Sequence, residues 1–455
     1  MYTRVMTKPQ RLVLIVSILA SFVAFLDSSI INVALPAIVR DLGGGLASQQ
    51  WIVDAYLITL GSLILLAGSL SDLFGRKRIL LAGLVGFGAA SLLCAVAPNS
   101  LFLIIMRGLQ GIAGALIVPS SLALIMSTFD GEAKGKAIGV WTGWTGISFI
   151  VGPLLGGLLV DSGSWRLIFA INILPIIVTL WLMRSLESEK TLEKVRVDIL
   201  GAVLGIIGLG GPVYALIEQS HLGWGSPGIY LPLGIGLLTL GLFLWHENRT
   251  SKPMLPLGLF KHRNFSAGNL ATISIYGGLS LATFLVSVFL QQVSKYSAFQ
   301  AGLSLMPVTI IMFFLSGKFG ALAGKFGPRL FMAVGPIIAA IGFLTMLSAQ
   351  EHVRYVSQLL PGVILFGVGL SVTVAPLTTA ILGAINTKQS GIGSAINNAV
   401  ARVAGLVAIA FLGVIIGPVL NLHGFRRGII VIAVMLATGG IISAIGIQNQ
   451  PKTLK

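Results

Sequence analysis

The chain has 455 residues, 55% hydrophobic and only 10% charged, with a mean hydropathy of +0.96; an ordinary soluble domain carries roughly 25% charged residues. Thirty Lys and Arg against 14 Asp and Glu leave a net charge of +16. These basic residues sit in short gaps between apolar runs and form no stripe on a polar domain, so nucleic acid is not an expected partner. Cys94, the single cysteine, excludes a disulfide framework and a cysteine metal site and is expected to pack.

A hydrocarbon core about 30 Å thick requires roughly 20 apolar residues per helix. That window predicts an all-α membrane protein with 14 spans, approximately 12–36, 51–71, 78–97, 101–127, 136–160, 166–184, 199–219, 228–246, 266–291, 300–321, 329–348, 355–383, 390–418 and 428–447. The first run follows Arg4, Lys8 and Arg11 like a signal peptide, but it is too long, carries Asp27 and lacks a cleavage-like end; it is read as a retained span. The histidines (His221, His246, His262, His352 and His423) fall near predicted helix ends or in loops, without the pairing of a ligand set, so neither metal nor cofactor is expected.

Orientation follows from the basic residues. With the amino terminus cytoplasmic, inner segments hold 22 of the 30 Lys and Arg; outer segments hold Arg40, Arg166, Lys295, Arg354, Arg426 and Arg427, and Arg107 and Arg402 lie within spans. Both termini are then cytoplasmic, and the segment "GSLSDLFGRKRIL" starting at Gly68 is an inner loop. It has an echo 252 positions on: Gly68, Gly75 and Gly83 align with Gly320, Gly327 and Gly335, while Asp72 aligns with Gly324 and Arg76 with Pro328. Two six-span blocks, 1–190 and 261–455, separated by an inserted pair of spans within 191–260, read as the parallel halves of a transporter.

At these residues the chain resembles the major facilitator superfamily, and more narrowly its fourteen-span drug:proton antiporters. The inner-loop signature is carried by Gly68, Asp72, Gly75, Arg76 and the pair Lys77, Arg78. Further likeness lies in "LDSSIINVALPAIVRDL" on span 1, "LIIMRGLQGIAGAL" on span 4 and "SFIVGPLLGGLLVD" on span 5. The resemblance implies a major facilitator fold. It further implies that Asp72 and Arg76, with Asp130 on the next inner loop, latch the halves on the cytoplasmic side in the outward-open state. Gly152, Pro153, Gly156 and Gly157 form the pattern associated with antiport, where a bend controls closure and restricts leak. The blander readings are a tight turn with a positive-inside anchor for the loop, and close helix packing for span 5.

Asp27, Asp54 and Arg107 are the candidates for proton coupling. An acid near a helix centre costs about 2.5–3.5 kcal/mol on the insertion scale and faces the bundle interior or a wet cavity. Asp27 lies about 24 Å beyond Arg11 at helical rise, Asp54 enters span 2 from outside, and Arg107 is about 9 Å into span 4 from the same side, so all three fall in the outer half. Desolvation and a neighbouring Arg act oppositely on a carboxylate, which permits proton loading and release as a cavity opens; a purely structural ion-pair network is the alternative. The resemblance assigns Arg107 to coupling.

The second half departs from the best-known multidrug members. After residue 260 the only acid is Glu351, in an outer loop. Arg402 lies about 18 Å from the inner end of span 13; it is either clasped by Asn397 and Asn398 or binds an anionic or polar part of a substrate. Phe25, Tyr56, Trp141, Trp144 and Phe284 are candidate walls of an apolar cavity or plain packing and interface anchors. The expected function is proton-coupled export of small amphipathic compounds by alternating access, in a bacterial cytoplasmic membrane and as a monomer. The alternative is export or flipping of an amphipathic anion, metabolite or lipid-like molecule. A receptor-like role on the same scaffold predicts no proton flux. No nucleophile, acid/base pair or P-loop stands out, so an enzyme is not expected.

Overall fold

The computed structural model describes residues 6–186, 197–250, 253–386 and 389–449. The described elements are helical. Thirteen helices are each long and apolar enough to cross a bilayer, and Leu167–Met183 supplies a shorter apolar stretch. The first half comprises α1 (Lys8–Leu42), α2 (Leu46–Phe74), α3 (Arg76–Ala95), α4 (Ser100–Thr128), α5 (Gly131–Ser162), and a sixth span broken into α6 (Leu167–Ala170) and α7 (Ile173–Met183). The inserted pair is α8 (Ile199–Leu222) and α9 (Pro227–Arg249). The second half is α10 (Arg263–Gln292), α11 (Ala298–Phe326), α12 (Pro328–Thr345), α13 (Leu360–Gly383), a span divided into α14 (Ser390–Ala410) and α15 (Leu412–Ile416), and α16 (Leu422–Gly446). A π-helical turn, Tyr355–Leu359, leads into α13.

α1, α2 and α11 run past both ends that the apolar window marks, because capping and not hydropathy stops them. α1 starts at a Thr7 capping box with Gln10, a reciprocal arrangement that satisfies two otherwise unpaired amides. α2 ends at Gly75 with φ +93°, and α11 at Gly327 with φ +90°. Both are backbone conformations open to glycine, and each glycine starts the next helix without a loop. The aligned glycines about two turns further on also match in role: Gly83 lies against Leu116 and Ile117 of α4, and Gly335 against Thr373 and the Gly369 carbonyl of α13.

Helix pairings repeat accordingly. α1 packs on α5 as α10 packs on α14, α2 on α4 as α11 on α13, and α3 on α4 as α12 on α13. The halves meet through α5 with α11, α2 with α14, and α1 with α10, while α8 and α9 pack on each other and α8 lies against α2 and α14. The 190/191 boundary falls outside the described residues.

Described hydrogen bonds between the halves cluster toward the face opposite the α2–α3 turn. The Asp161 carboxylate, ending α5, accepts from the backbone amides of Ala298 (3.1 Å) and Phe299 (2.9 Å) at the start of α11. Gln50 Nε2 donates to the Ile409 carbonyl at 2.6 Å, Ser287 Oγ to that of Asn32 at 3.1 Å, and Gln291 Nε2 to that of Val33 at 3.0 Å. These contacts hold the halves together at that face.

Candidate functional site

The sequence places Asp27, Ser91 with Cys94, Arg107 with Gln110, and Asn172 on four apolar runs, and the fold collects them inside the first half, all fully or almost fully buried. Arg107 Nη1 lies 2.6 Å from Asp27 Oδ2. Gln110 Nε2 and Asn172 Nδ2 donate to Asp27 Oδ1 at 2.9 and 3.0 Å, so one carboxylate accepts from three side chains. Gln110 also accepts from Arg107 Nη1 at 2.7 Å and donates to Ser91 Oγ at 2.8 Å. Arg107 Nε donates to the Ile52 carbonyl at 3.1 Å, and its guanidinium carbon lies 4.4 Å from the centroid of the Tyr56 ring. Burying a charge away from water is tolerated when it is paired and hydrogen-bonded, and Arg107 is both, through Nη1 and Nε.

Gln110, Ser91 and Asn172 are partners that sequence reasoning missed. Gln110 had a legible signal, since it follows Arg107 by three residues and so shares its helix face. Asn172 sits at the break between α6 and α7, where one polar residue interrupts "FAINILP"; nothing local specifies that it points at Asp27.

Asp54 does not join this cluster. It is buried on α2, and neither carboxylate oxygen has a hydrogen-bond partner. It follows Gln50 by four residues and precedes Gly61 by seven; Gln50 reaches α14, and a Cβ at Gly61 would lie 3.5 Å from Val403. Helical spacing therefore puts Asp54 on the side of α2 that faces the other half.

Between the halves lies a cavity of about 350 Å³, within the size range of small-molecule sites. The first half contributes Phe25, Ser28, Tyr56, Arg107 and Phe149; the second contributes Tyr276, Ser280, Thr283, Asn398 and Arg402. Arg107 and Tyr56 thus belong to both the buried cluster and the cavity wall. Several cavity candidates lie elsewhere. Phe284 is fully buried, Trp141 donates to Ser21 at 3.1 Å beside a small apolar cluster with Leu14 and Phe129, and Trp144 is 52% exposed; none lines this cavity. Asn397 is also off it, because its amide donates to Thr272 Oγ1 at 2.8 Å and Asn269 Oδ1 at 3.2 Å on α10. Of the two readings of Arg402, the asparagine clasp is not formed among the described residues: Asn397 is turned to α10, and Asn398 donates to the Ser394 carbonyl of its own helix.

At the α2–α3 turn Asp72 lies 3.6 Å from Arg76 and is about half exposed. Lys77 Nζ donates to the Leu186 carbonyl. Gly68 has open space where a Cβ would stand, and Asp130 is exposed and caps no amide of α5. On α5 the glycines mark contacts. A Cβ at Gly152 would lie 1.9 Å from Ser29 Oγ, one at Gly156 2.5 Å from Ile30 Cγ1, and one at Gly157 2.4 Å from Phe299 Cα across the divide. The Pro153 carbonyl meets α11 at Gly302, where a Cβ would be 2.4 Å from the oxygen.

A helical membrane protein with two repeated halves around a central cavity is the architecture of a secondary transporter. Residues 17–409 match the family profile of the Major Facilitator Superfamily, and the chain belongs to that family of transporters. It is 35% identical to the multidrug resistance protein Stp of Mycobacterium tuberculosis (strain CDC 1551 / Oshkosh), over 91% of this chain and 78% of that protein. It is also 35% identical to a methylenomycin A resistance protein of Bacillus subtilis (strain 168), over 89% and 87%, and 34% identical to the puromycin resistance protein pur8 of Streptomyces alboniger, over 88% and 81%. A partially occluded inward-open structure of the xylose transporter XylE from E. coli superposes with a TM-score of 0.69 at 14% identity, covering 98% of this chain and 100% of that one; this likeness concerns the fold alone.

Proposed function

We propose that the protein exports small amphipathic compounds across the cytoplasmic membrane in exchange for protons, by alternating access. Similarity to multidrug and antibiotic resistance proteins supports efflux as the direction. The lysine and arginine distribution supports cytoplasmic termini, which makes the face joined through Asp161 the outer one and the described conformation inward-facing. In the opposite state, closure at the α2–α3 face is assigned to Asp72, Arg76 and Asp130.

The observation that carries proton coupling is the double membership of Arg107, which holds Asp27 on one side and faces the cavity on the other. Protonating Asp27 weakens its hold on Arg107, and Tyr56, stacked under that guanidinium, conveys the change to the cavity wall. A ligand or proton shifts a conformational equilibrium only by its differential affinity for the two states; Asp27 meets this requirement when the ion pair differs between them. Asp54, unpaired between α2 and α14, is a second carboxylate whose protonation favours the closed contact of those helices.

The test is efflux from right-side-out vesicles or uptake into inverted ones, driven by an imposed pH difference. Asp27→Asn keeps the size of the side chain and one of its two acceptor oxygens and is expected to abolish pH-driven transport while the protein remains folded. Persistence of pH-driven transport in this variant overturns the assignment of Asp27.

A further inference from the structure

The central cavity carries two arginines in unlike circumstances. Arg107 is neutralised by Asp27 at 2.6 Å. Arg402 has no counterpart: among the described residues no carboxylate lies within ion-pair distance of its guanidinium, and it donates no hydrogen bond to them. Its polar neighbours on α14 are engaged elsewhere. What it does have is the face of Phe25, 5.5 Å from guanidinium carbon to ring centroid. A guanidinium stays charged at any physiological pH and offers five donors in a planar fork that fits an oxyanion. The second half supplies no acid to neutralise it in another conformation, since Glu351, in an exposed loop, is the only one after residue 260. The cavity therefore holds one uncompensated positive charge.

We propose that Arg402 is the anion-binding group of the cargo site, and that the preferred cargo is an amphipath with a ring system and a single compact oxyanion such as a carboxylate. This rests on the cavity being the cargo site, and not on proton coupling. The oxyanion takes the guanidinium fork, with the hydroxyl of Ser280 in the same wall as a further donor; those of Ser28 and Thr283 already donate to carbonyls of their own helices. The ring system lies against Phe25 and Phe149, which are tilted at 55° with centroids 5.7 Å apart, and against Tyr276. Such a site disfavours a cation of the same shape, because it brings a like charge to a desolvated arginine.

The experiment measures equilibrium binding of three probes with one skeleton, 2-naphthoate, 2-naphthamide and 2-naphthylmethylammonium, to the purified full chain in nanodiscs at pH 7.5 without a gradient. The wild-type protein is expected to bind the carboxylate about tenfold or more tightly than the amide, and the ammonium most weakly. Arg402→Gln is expected to remove about tenfold from the carboxylate and less than about twofold from the amide, while Arg402→Lys keeps the ranking. The ranking in the wild-type protein decides the matter even if Arg402→Gln fails to fold. No preference for the carboxylate, or an equal loss for all three probes in a folded Arg402→Gln, overturns the proposal. So does restoration of Arg402→Gln by Asp54→Asn for all three probes, which assigns Arg402 to an internal pair with Asp54. Failure of Asp27 as the coupling acid leaves this result untouched, because no gradient is applied.

Discussion

Asp27 and Asp54 are both buried acids in apolar helices, yet their surroundings separate them. Asp27 accepts from Arg107, Gln110 and Asn172, and removing one partner of a buried ion pair costs about 3–5 kcal/mol because the other charge is left uncompensated. Asp27→Ala and Asp27→Asn both leave Arg107 uncompensated and are accordingly expected to lower the melting temperature in detergent, Asp27→Asn less so because it keeps the side-chain volume and one acceptor oxygen. Gln110→Ala removes four hydrogen bonds at once, one of them the long contact from the Cys94 thiol and two of them to charged groups worth about 1.5–3 kcal/mol each; a clear loss of thermal stability, read by a fluorescence melt, is expected. Asp54 has no partner to lose. Replacing an unpaired buried carboxylate by an apolar residue of similar size removes a desolvation cost, so Asp54→Leu is expected to raise the melting temperature while reducing pH-driven transport. A lower melting temperature shows that Asp54 has a stabilising partner after all.

At the scale of elements, α5 and α11 form the seam that closes one face. The Asp161 carboxylate sits on the first two amides of α11, where unpaired N–H groups and the helix dipole favour negative charge. Gly157 and Gly302 let the backbones touch. Gly157→Ala would put a methyl group 2.4 Å from Phe299 Cα, and backbone gives way less easily than a side chain end. Both Gly157→Ala and Asp161→Ala are expected to bias the protein away from closure at this face. The measurement is labelling of a cysteine introduced at position 295 or 300, with Cys94 buried in the background; an unchanged labelling rate in both variants removes this seam from the gating account. Gly156 has a different role, since its contact is with Ile30 of its own half, and Gly156→Ala is expected to destabilise the bundle without that bias.

For the whole molecule, the charge moved per cycle follows from the cargo. If one proton enters for each monoanion that leaves, two unit charges cross in the same electrical sense, each worth about 2.3 kcal/mol per 100 mV. An inside-negative potential set with potassium and valinomycin is then expected to accelerate anion efflux, whereas exchange of one proton for a monocation would not respond. Cytoplasmic termini are checked independently by fusing a reporter active only in the cytoplasm after residue 455; an inactive fusion of a functional transporter reverses the assigned orientation.

The apolar runs, their number and the two-half plan were legible because crossing a bilayer is a local requirement: each helix must satisfy its own backbone and present about 20 apolar residues to lipid. Gly75 and Gly327 announced their turns because a positive φ is a property of one residue. Which side chains meet was a different matter. Asn172 reaching Asp27, Asn397 turning to α10 and leaving Arg402 uncovered, and Phe284 disappearing into the core all depend on how helices rotate about their axes when packed. That rotation is set jointly by many contacts from distant parts of the chain, so only the tertiary structure decided that, among the described residues, Asp27 is paired and Asp54 and Arg402 are not.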